Sequence, residues 1–361
     1  MTAPSGRGLS GTTGRLLLVG GSLLVCAVLA LSAEGLLRLI RPRRLEAAPA
    51  LQPHVYSPVY GWRLRPSWQG QTRDGRTVRT NRSGFRGPSA GEGAPGRSRV
   101  LLLGDSLTFG TGVDDGETFA AQLAKLAPAL EPLNLGVSGY GTDQELLLLE
   151  REGLPLRPAV VVLDVCVGND VFDNALPVYV YDGVTPKPYF TVEGHRLRLH
   201  DDHVRLRGMA LLTRELSERA LAVDALLSLA GGEGRAPLDH DDGEHWGPRA
   251  RTVLAHWPEA VELTERLLAR VDEACAARGV GLLVLLHPNR RSFEGDPTFV
   301  EPFSAAAPRL RPATRMIDLR SMYLEQGLAW EDFTLDKLGH LNARGHRSVA
   351  ELLAKELGGA P

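Results

Sequence analysis

The sequence predicts an α/β protein: a three-layer α/β/α sandwich around a central parallel sheet, preceded by one N-terminal transmembrane helix. Two observations predict the sandwich. Short apolar runs of strand length alternate with segments whose apolar residues recur at helical spacing. The first of these runs, Val100–Leu103, is apolar at every position and stops at Gly104, as suits a strand buried on both faces. The transmembrane helix rests on Leu16–Ala33, 18 consecutive uncharged residues bounded by Arg15 and Glu34. At about 1.5 Å per residue that stretch reaches roughly 27 Å, enough for a bilayer core.

Composition limits the alternatives. A chain of 361 residues is one large α/β domain or two small ones. Apolar residues make up 43% and charged residues 23%, which excludes wholesale disorder and a multi-span membrane protein. The formal net charge of −2 is unevenly placed: residues 1–44 hold six Arg against Glu34, a balance of +5, which leaves −7 for residues 45–361. A mildly acidic body lacks the basic surface that phosphate contacts need, so nucleic acid is excluded as a partner. Three cysteines make no disulfide framework. The bias of 37 Arg to 4 Lys reflects genome composition more than function.

Residues 1–15 read as a tail and residues 16–40 as a transmembrane anchor or uncleaved signal. A cleaved signal peptide and a buried core helix are the competing readings. The first would have an apolar region of about 7–15 residues and an A-x-A site, and the nearest approach to one is Val28-Leu29-Ala30. Val25 before Cys26 speaks against a lipoprotein signal. Arg38, Arg41, Arg43 and Arg44 outnumber the two Arg before the run, so a plain positive-inside count puts the body in the cytoplasm. Residues 41–97, rich in Pro, Gly, Arg and Ser, read as a connector with short strands.

From residue 98 to 358 the pattern is that of one domain. Phe119, Leu123 and Leu126 follow the first strand at helical spacing and stop at Pro128. Leu133–Val137 reads as the second strand, and Thr142 with Glu145 as a capping box ahead of Leu146–Leu149. Ala159–Val167 is the third strand. Residues 171–248 interrupt the alternation as an insertion, with a hairpin over Pro186–Leu199 and a helix over Leu211–Leu229. A long helix carrying Trp257, Val261, Leu268, Val271 and Cys275 closes at Gly279. Val280–Leu286 and Met316–Leu319 are the fourth and fifth strands, and a last helix starts near Asn342. Sites in such sheets lie at the carboxyl ends of the strands.

Three strand ends carry polar residues suited to chemistry. The first leads into Gly104-Asp105-Ser106-Leu107, putting a serine hydroxyl at the sheet edge. The second leads into Gly136-Val137-Ser138-Gly139-Tyr140-Gly141, whose N–H groups can approach an anion, and the third into Gly168-Asn169-Asp170. Near the C-terminus stands Asp336-Lys337-Leu338-Gly339-His340, followed by Gly345-His346. Taken singly these are turn formers and helix caps. In this order, each at a strand end, they are hard to explain as punctuation.

The combination resembles the SGNH (GDSL-type) hydrolase superfamily, whose blocks supply Ser, Gly, Asn and His, over about Arg99 to Leu357. Thr80-Asn81-Arg82-Ser83-Gly84-Phe85-Arg86-Gly87 also resembles a feature of membrane-anchored bacterial members of unassigned substrate. The resemblance implies a flavodoxin-like sandwich, Ser106 as nucleophile and His340 as base. It implies an oxyanion hole built from the N–H groups of Ser106 and Gly139 and the side-chain amide of Asn169. It also puts the catalytic domain outside the cytoplasm, periplasmic or extracytoplasmic. The family's acid lies three residues before the histidine, where this chain has Lys337. Asp336, four before, reaches the ring if the segment is a helical turn. Asp332, Glu331 or a main-chain carbonyl are the other candidates for holding His340.

Asp105, Asp170 and His346 read as structural, and Cys166 and Cys275 as core thiols. Tyr140 either lines a pocket or covers its turn. His200-Asp201-Asp202-His203 and the cluster at residues 239–245 have metal-ligating residue types without a helical HExxH spacing, and solvated loops are the plainer account. His287-Pro288-Asn289-Arg290-Arg291 either touches a substrate anion or simply leaves the fourth strand. The expected activity is hydrolysis of an O-acyl ester, acetyl for example, on a carbohydrate or lipid through an acyl-serine, with neither cofactor nor metal. An O-acyltransferase on envelope polysaccharide and a non-catalytic, membrane-tethered binding protein are the alternatives.

Overall fold

Five strands form one parallel sheet in the computed structural model of the chain, which describes residues 11–40, 53–72, 75–91, 95–180, 185–220 and 247–358. They are β1 (Ser98–Gly104), β2 (Leu130–Asn134), β3 (Val160–Cys166), β4 (Gly281–His287) and β5 (Arg315–Asp318). Their order across the sheet is β2-β1-β3-β4-β5, every neighbouring pair parallel. That is the flavodoxin-like order, with a topological switch point between β1 and β3. β1, β3 and β4 are rich in Val and Leu because each has a neighbour on both sides and helices on both faces.

Side chains alternate between two cores along β1. Leu101 and Leu103 join the core made with α3 (Thr142–Leu148) and α4 (Trp257–Ala276), through Leu146, Leu267 and Val271. Val100 and Leu102 join the opposite core, with Phe119 and Leu123 of α2 (Phe119–Leu126) and Val349 and Leu353 of α5 (Ala343–Leu357). The three-layer sandwich follows from this two-sided burial.

The caps explain where the helices begin and end. The hydroxyl of Thr118 accepts the Ala121 N–H at the start of α2, and Asn342 accepts those of Arg344 and Gly345 at the start of α5. Gly279, at φ +68°, follows the end of α4. The expected capping box at Thr142 and Glu145 does not form. Gly141 is the cap, Thr142 donates to Asp170, and Glu145 is buried. β2 begins three residues earlier than its apolar run. Glu131 at its start pairs with Arg99, and Pro132 is tolerated because β2 is an edge strand.

Two short antiparallel hairpins lie in the connector, His54–Ser57 with Gly61–Leu64 and Gln69–Gln71 with Thr77–Arg79. The insertion carries a third, Tyr189–Glu193 with Arg196–His200. All of these belong to one compact unit, Pro53–Arg207 with Ala236–Pro361. The other unit, Met1–Gln52 with Gly208–Arg235, holds α1 (Gly11–Ile40) and the helix Gly208–Ser217. The expected helix over Leu211–Leu229 lies partly outside the described residues. Within α1, Leu18–Leu37 is long and apolar enough to cross a membrane, and none of it is buried. A signal sequence shares that length and apolarity.

Candidate active site

Ser106 opens the short helix Ser106–Phe109 directly after β1, and Asn169 follows β3, so the switch point brings both to one sheet edge. Asp105 caps that helix, its carboxylate accepting the Leu107 N–H at 2.8 Å. Ser106 Oγ stands 3.0 Å from Nε2 of His340, and His340 Nδ1 stands 2.6 Å from Oδ2 of Asp336. The Asp336–His340 segment is not the helical turn the sequence suggested. It is a loop closed by a bridge between Thr334 and Leu341. The other Asp336 oxygen accepts the N–H groups of Gly339 (3.0 Å) and His340 (3.1 Å), which folds residue i back onto i+4 without a helix. Lys337 lies exposed on the outside of that loop. Asp332 instead accepts the Ala329 N–H, and Glu331 pairs with Arg290.

Burial alone would raise the Asp336 carboxyl. The hydrogen bond and charge of His340, with the two N–H groups, outweigh it and hold the carboxyl below the usual range.

The turn that carries Gly139 is held from outside by aromatic rings. Gly139 has φ +81°, and a Cβ on it would lie 2.5 Å from the Tyr179 ring. Trp62 packs on Tyr179 at 5.2 Å and on Tyr140 at 5.7 Å, and its Nε1–H donates to Ser138 O. Tyr140 is fully buried and donates to Trp62 O, so it covers its turn rather than lining a pocket. Among the described residues, neither the Ser106 nor the Gly139 N–H donates to another protein group. Asn169 differs: its amide donates to Asp105 (3.0 Å) and Asp173 (3.2 Å), and its own Oδ1 is buried without a partner.

Beneath the edge lies a set of buried carboxyls that sequence reading passed over. Glu145 has both oxygens unpartnered, as are one oxygen each of Asp170 and Asp173. Burial, followed by the charges of neighbouring acids, pushes Glu145 and Asp170 well above the usual range. Burial likewise raises Asp105 and Asp143. The buried ammonium of Lys187 pairs with Asp143. The acids Asp143, Glu145, Asp170 and Asp173, close behind the second and third strand ends, were the available signal. On the opposite side, His287 is turned inward onto Asp164 at 2.5 Å, and Thr108 donates to the same carboxylate at 2.8 Å. Arg290 pairs with Glu294 and Glu331, and Arg291 with Asp296. The arginines after β4 thus each have an acidic partner close by.

Arg86, within the Thr80–Gly87 motif, has a structural role. It is 3% exposed and donates to the carbonyls of Phe109, Gly110 and Val113 at 2.7–2.9 Å, with Asp115 3.0 Å from its Nε. Its guanidinium thus ties down the C-terminal end of the Ser106 helix. Cys166 and Cys275 are buried. His346 is buried and its Nδ1 accepts the Phe119 N–H, a structural contact at the start of α2. The residues 239–245 lie outside the described ones. Among the described residues no three potential metal ligands come together.

The family model for the GDSL-like lipase/acylhydrolase family matches residues 102–348, well over half of the chain. This chain belongs to the GDSL-like lipase/acylhydrolase family. It is an SGNH-type serine hydrolase of the esterase or lipase kind, acting on a small-molecule ester. Solved structures similar to this GDSL-type hydrolase include a member of the lipolytic protein G-D-S-L family from Veillonella parvula DSM 2008. That pair is 11% identical over 73% of this chain and 100% of the other, with a TM-score of 0.40. A catalytic mutant of an acetylxylan esterase from Geobacillus stearothermophilus is 14% identical over 74% and 96%, with a TM-score of 0.41. A lipase from a goat rumen metagenome is 17% identical over 73% and 97%, with a TM-score of 0.38. No curated protein sequence matches this GDSL-type hydrolase.

Proposed function

We propose that the chain is a serine esterase that removes an O-acyl group from a carbohydrate or lipid by way of an acyl-serine. The observation that carries this is the continuous chain Ser106 Oγ, His340, Asp336, at 3.0 and 2.6 Å, beside two uncommitted N–H groups. Ser106 Oγ attacks the ester carbonyl while its proton passes to His340 Nε2. Asp336 keeps the other proton on Nδ1 and stabilises the imidazolium. The carbonyl oxygen becomes an oxyanion facing the N–H groups of Ser106 and Gly139. Asn169 adds a third donor by releasing its longer bond, the one to Asp173. The C–O bond to the alcohol then breaks, and the alcohol leaves with the proton from His340. Water attacks the acyl-serine in the reverse sense, returning a proton through His340 and freeing the acid.

Helix α1 serves as an uncleaved anchor with the catalytic unit outside the cytoplasm. A reporter at the C-terminus that works only outside the cytoplasm should be active; an inactive one would put the enzyme on the inner side.

The full chain in detergent should hydrolyse a short-chain aryl ester, and Ser106→Ala and His340→Ala should each lose about 10³-fold or more in kcat. Equal turnover by all three proteins would refute the assignment. Adding oligosaccharide acceptors to the same reaction separates hydrolysis from acyl transfer, since only transfer yields acylated sugar.

A further inference from the structure

The insertion hairpin carries a cleft of about 420 Å³, lined by Pro177, Tyr189, Arg198, His200, Asp202 and His203 among others. That volume falls within the range of small-ligand sites, about 300–1,000 Å³. Two paths, one along the chain and one through a hydrogen bond and an ion pair, tie it to the active site. Pro177 at its edge is two residues from Tyr179, whose ring covers Gly139, so the cleft begins within roughly 7 Å of chain from the oxyanion turn. On the other side, the carbonyl of Lys187 accepts His203 Nε2 at 2.9 Å, while the Lys187 ammonium is buried on Asp143 of α3, four residues past Gly139.

The lining decides what the cleft can hold. Tyr189 and His200 stack at 4.8 Å and 13°, forming a flat wall held by the bond from Thr191 to His200. His203 meets Tyr189 edge-on. Arg198 is exposed and pairs with the similarly exposed Glu193. Asp202 and the Tyr189 hydroxyl have no side-chain partner among the described residues, whereas Asp201 is paired with Arg205. An acyl chain would strand these polar groups. An anion would face Asp201 and Asp202, and a cation would face Arg198. A neutral ligand with many hydroxyls meets none of these penalties: it donates to carboxylate and imidazole, accepts from guanidinium, and lays its C–H face on a ring.

We infer that this cleft is a binding subsite for a carbohydrate chain, placing the sugar part of the substrate while its ester reaches Ser106. The inference rests on the esterase reading and narrows it to carbohydrate esters. Its test uses the full chain in detergent with Tyr189→Ala and Arg198→Ala, two substitutions remote from the reacting atoms. The substrates are a short-chain aryl acetate and partly acetylated xylo- and manno-oligosaccharides. Each variant should lose tenfold or more in kcat/KM on the oligosaccharides, chiefly through KM, and stay within twofold on the aryl acetate. Equal losses on both substrates, or none on either, would overturn the subsite. If the aryl acetate is not turned over at all, the esterase reading fails instead. Calorimetric titration of deacetylated oligosaccharide into Ser106→Ala then decides the subsite by itself: binding weakened by Arg198→Ala supports it, and no binding to the parent overturns it.

Discussion

At the scale of single residues, Asp336 is the point where this chain departs from its family's pattern and where the structure offers a sharp test. Asp336→Asn keeps an oxygen for the Gly339 and His340 N–H groups but removes the charge facing Nδ1. Turnover of an aryl ester should fall by about 10²–10⁴, by analogy with triad asparagine variants. Stability should change by less than about 1 kcal/mol, because the side chain is half-exposed. An unchanged kcat would make a main-chain group the orienting element. Gly139 is a second test. Its positive φ and the Tyr179 ring both exclude a side chain, so Gly139→Ala should cost about 1–2 kcal/mol from the backbone alone, read by urea denaturation. Gly139→Ala combined with Tyr179→Ala should regain the part due to the ring and leave the backbone part.

At the scale of elements, the buried strands and the capped helices were legible because period and punctuation agreed. Val100–Leu103 and Val280–Leu286 lie within or overlap their strands, and Asn342 caps α5 as its position implied. What was not legible depended on neighbours. Pro132 hid the start of β2 because the tolerance of an edge strand is a property of the sheet. Thr142 and Glu145 have the spacing of a capping box, yet Thr142 donates to Asp170 and Glu145 is buried with neither oxygen partnered. The link between Asp336 and His340 was expected at the right spacing through the wrong local geometry, since an aspartate loop and a helical turn bring i and i+4 equally close.

The α2–α5 contact adds a pH test. Burial pushes His346 down to about 3, and its Nδ1 accepts the Phe119 N–H, so the folded chain keeps the ring neutral. The unfolded ring titrates near 6.5 and binds the proton first. Stability is therefore full above about 6.5 and is lost as pH falls toward 3, at up to about 1.4 kcal/mol per pH unit. In urea titrations between pH 7 and 5, His346→Gln should show a flatter decline than the parent. An identical slope would mean the ring titrates alike in the folded and unfolded chain.

At the scale of the whole molecule, the buried acids act with the opposite sign. Glu145 is raised well above its unfolded value, so the folded chain holds a proton the unfolded chain has released. Its contribution is complete below about pH 4.3 and is lost as pH climbs toward the folded value. Glu145→Gln should thus gain stability relative to the parent as pH rises from 5 to 9, measured by denaturant unfolding. A difference that stays constant with pH would show that Glu145 titrates alike in both states.

Arg86 bears on how this enzyme can be cut down. The family match starts at residue 102, but the guanidinium that fastens the end of the Ser106 helix arrives from sixteen positions upstream of that start. Trimming to the match would strand three inward-facing carbonyls and Asp115, at a cost of about 3–5 kcal/mol, a large share of what holds an ordinary domain together. The arm from His54 onward has to travel with the domain in any shortened version, and the place to sever the apolar helix α1 is ahead of His54, not at the edge of the sheet.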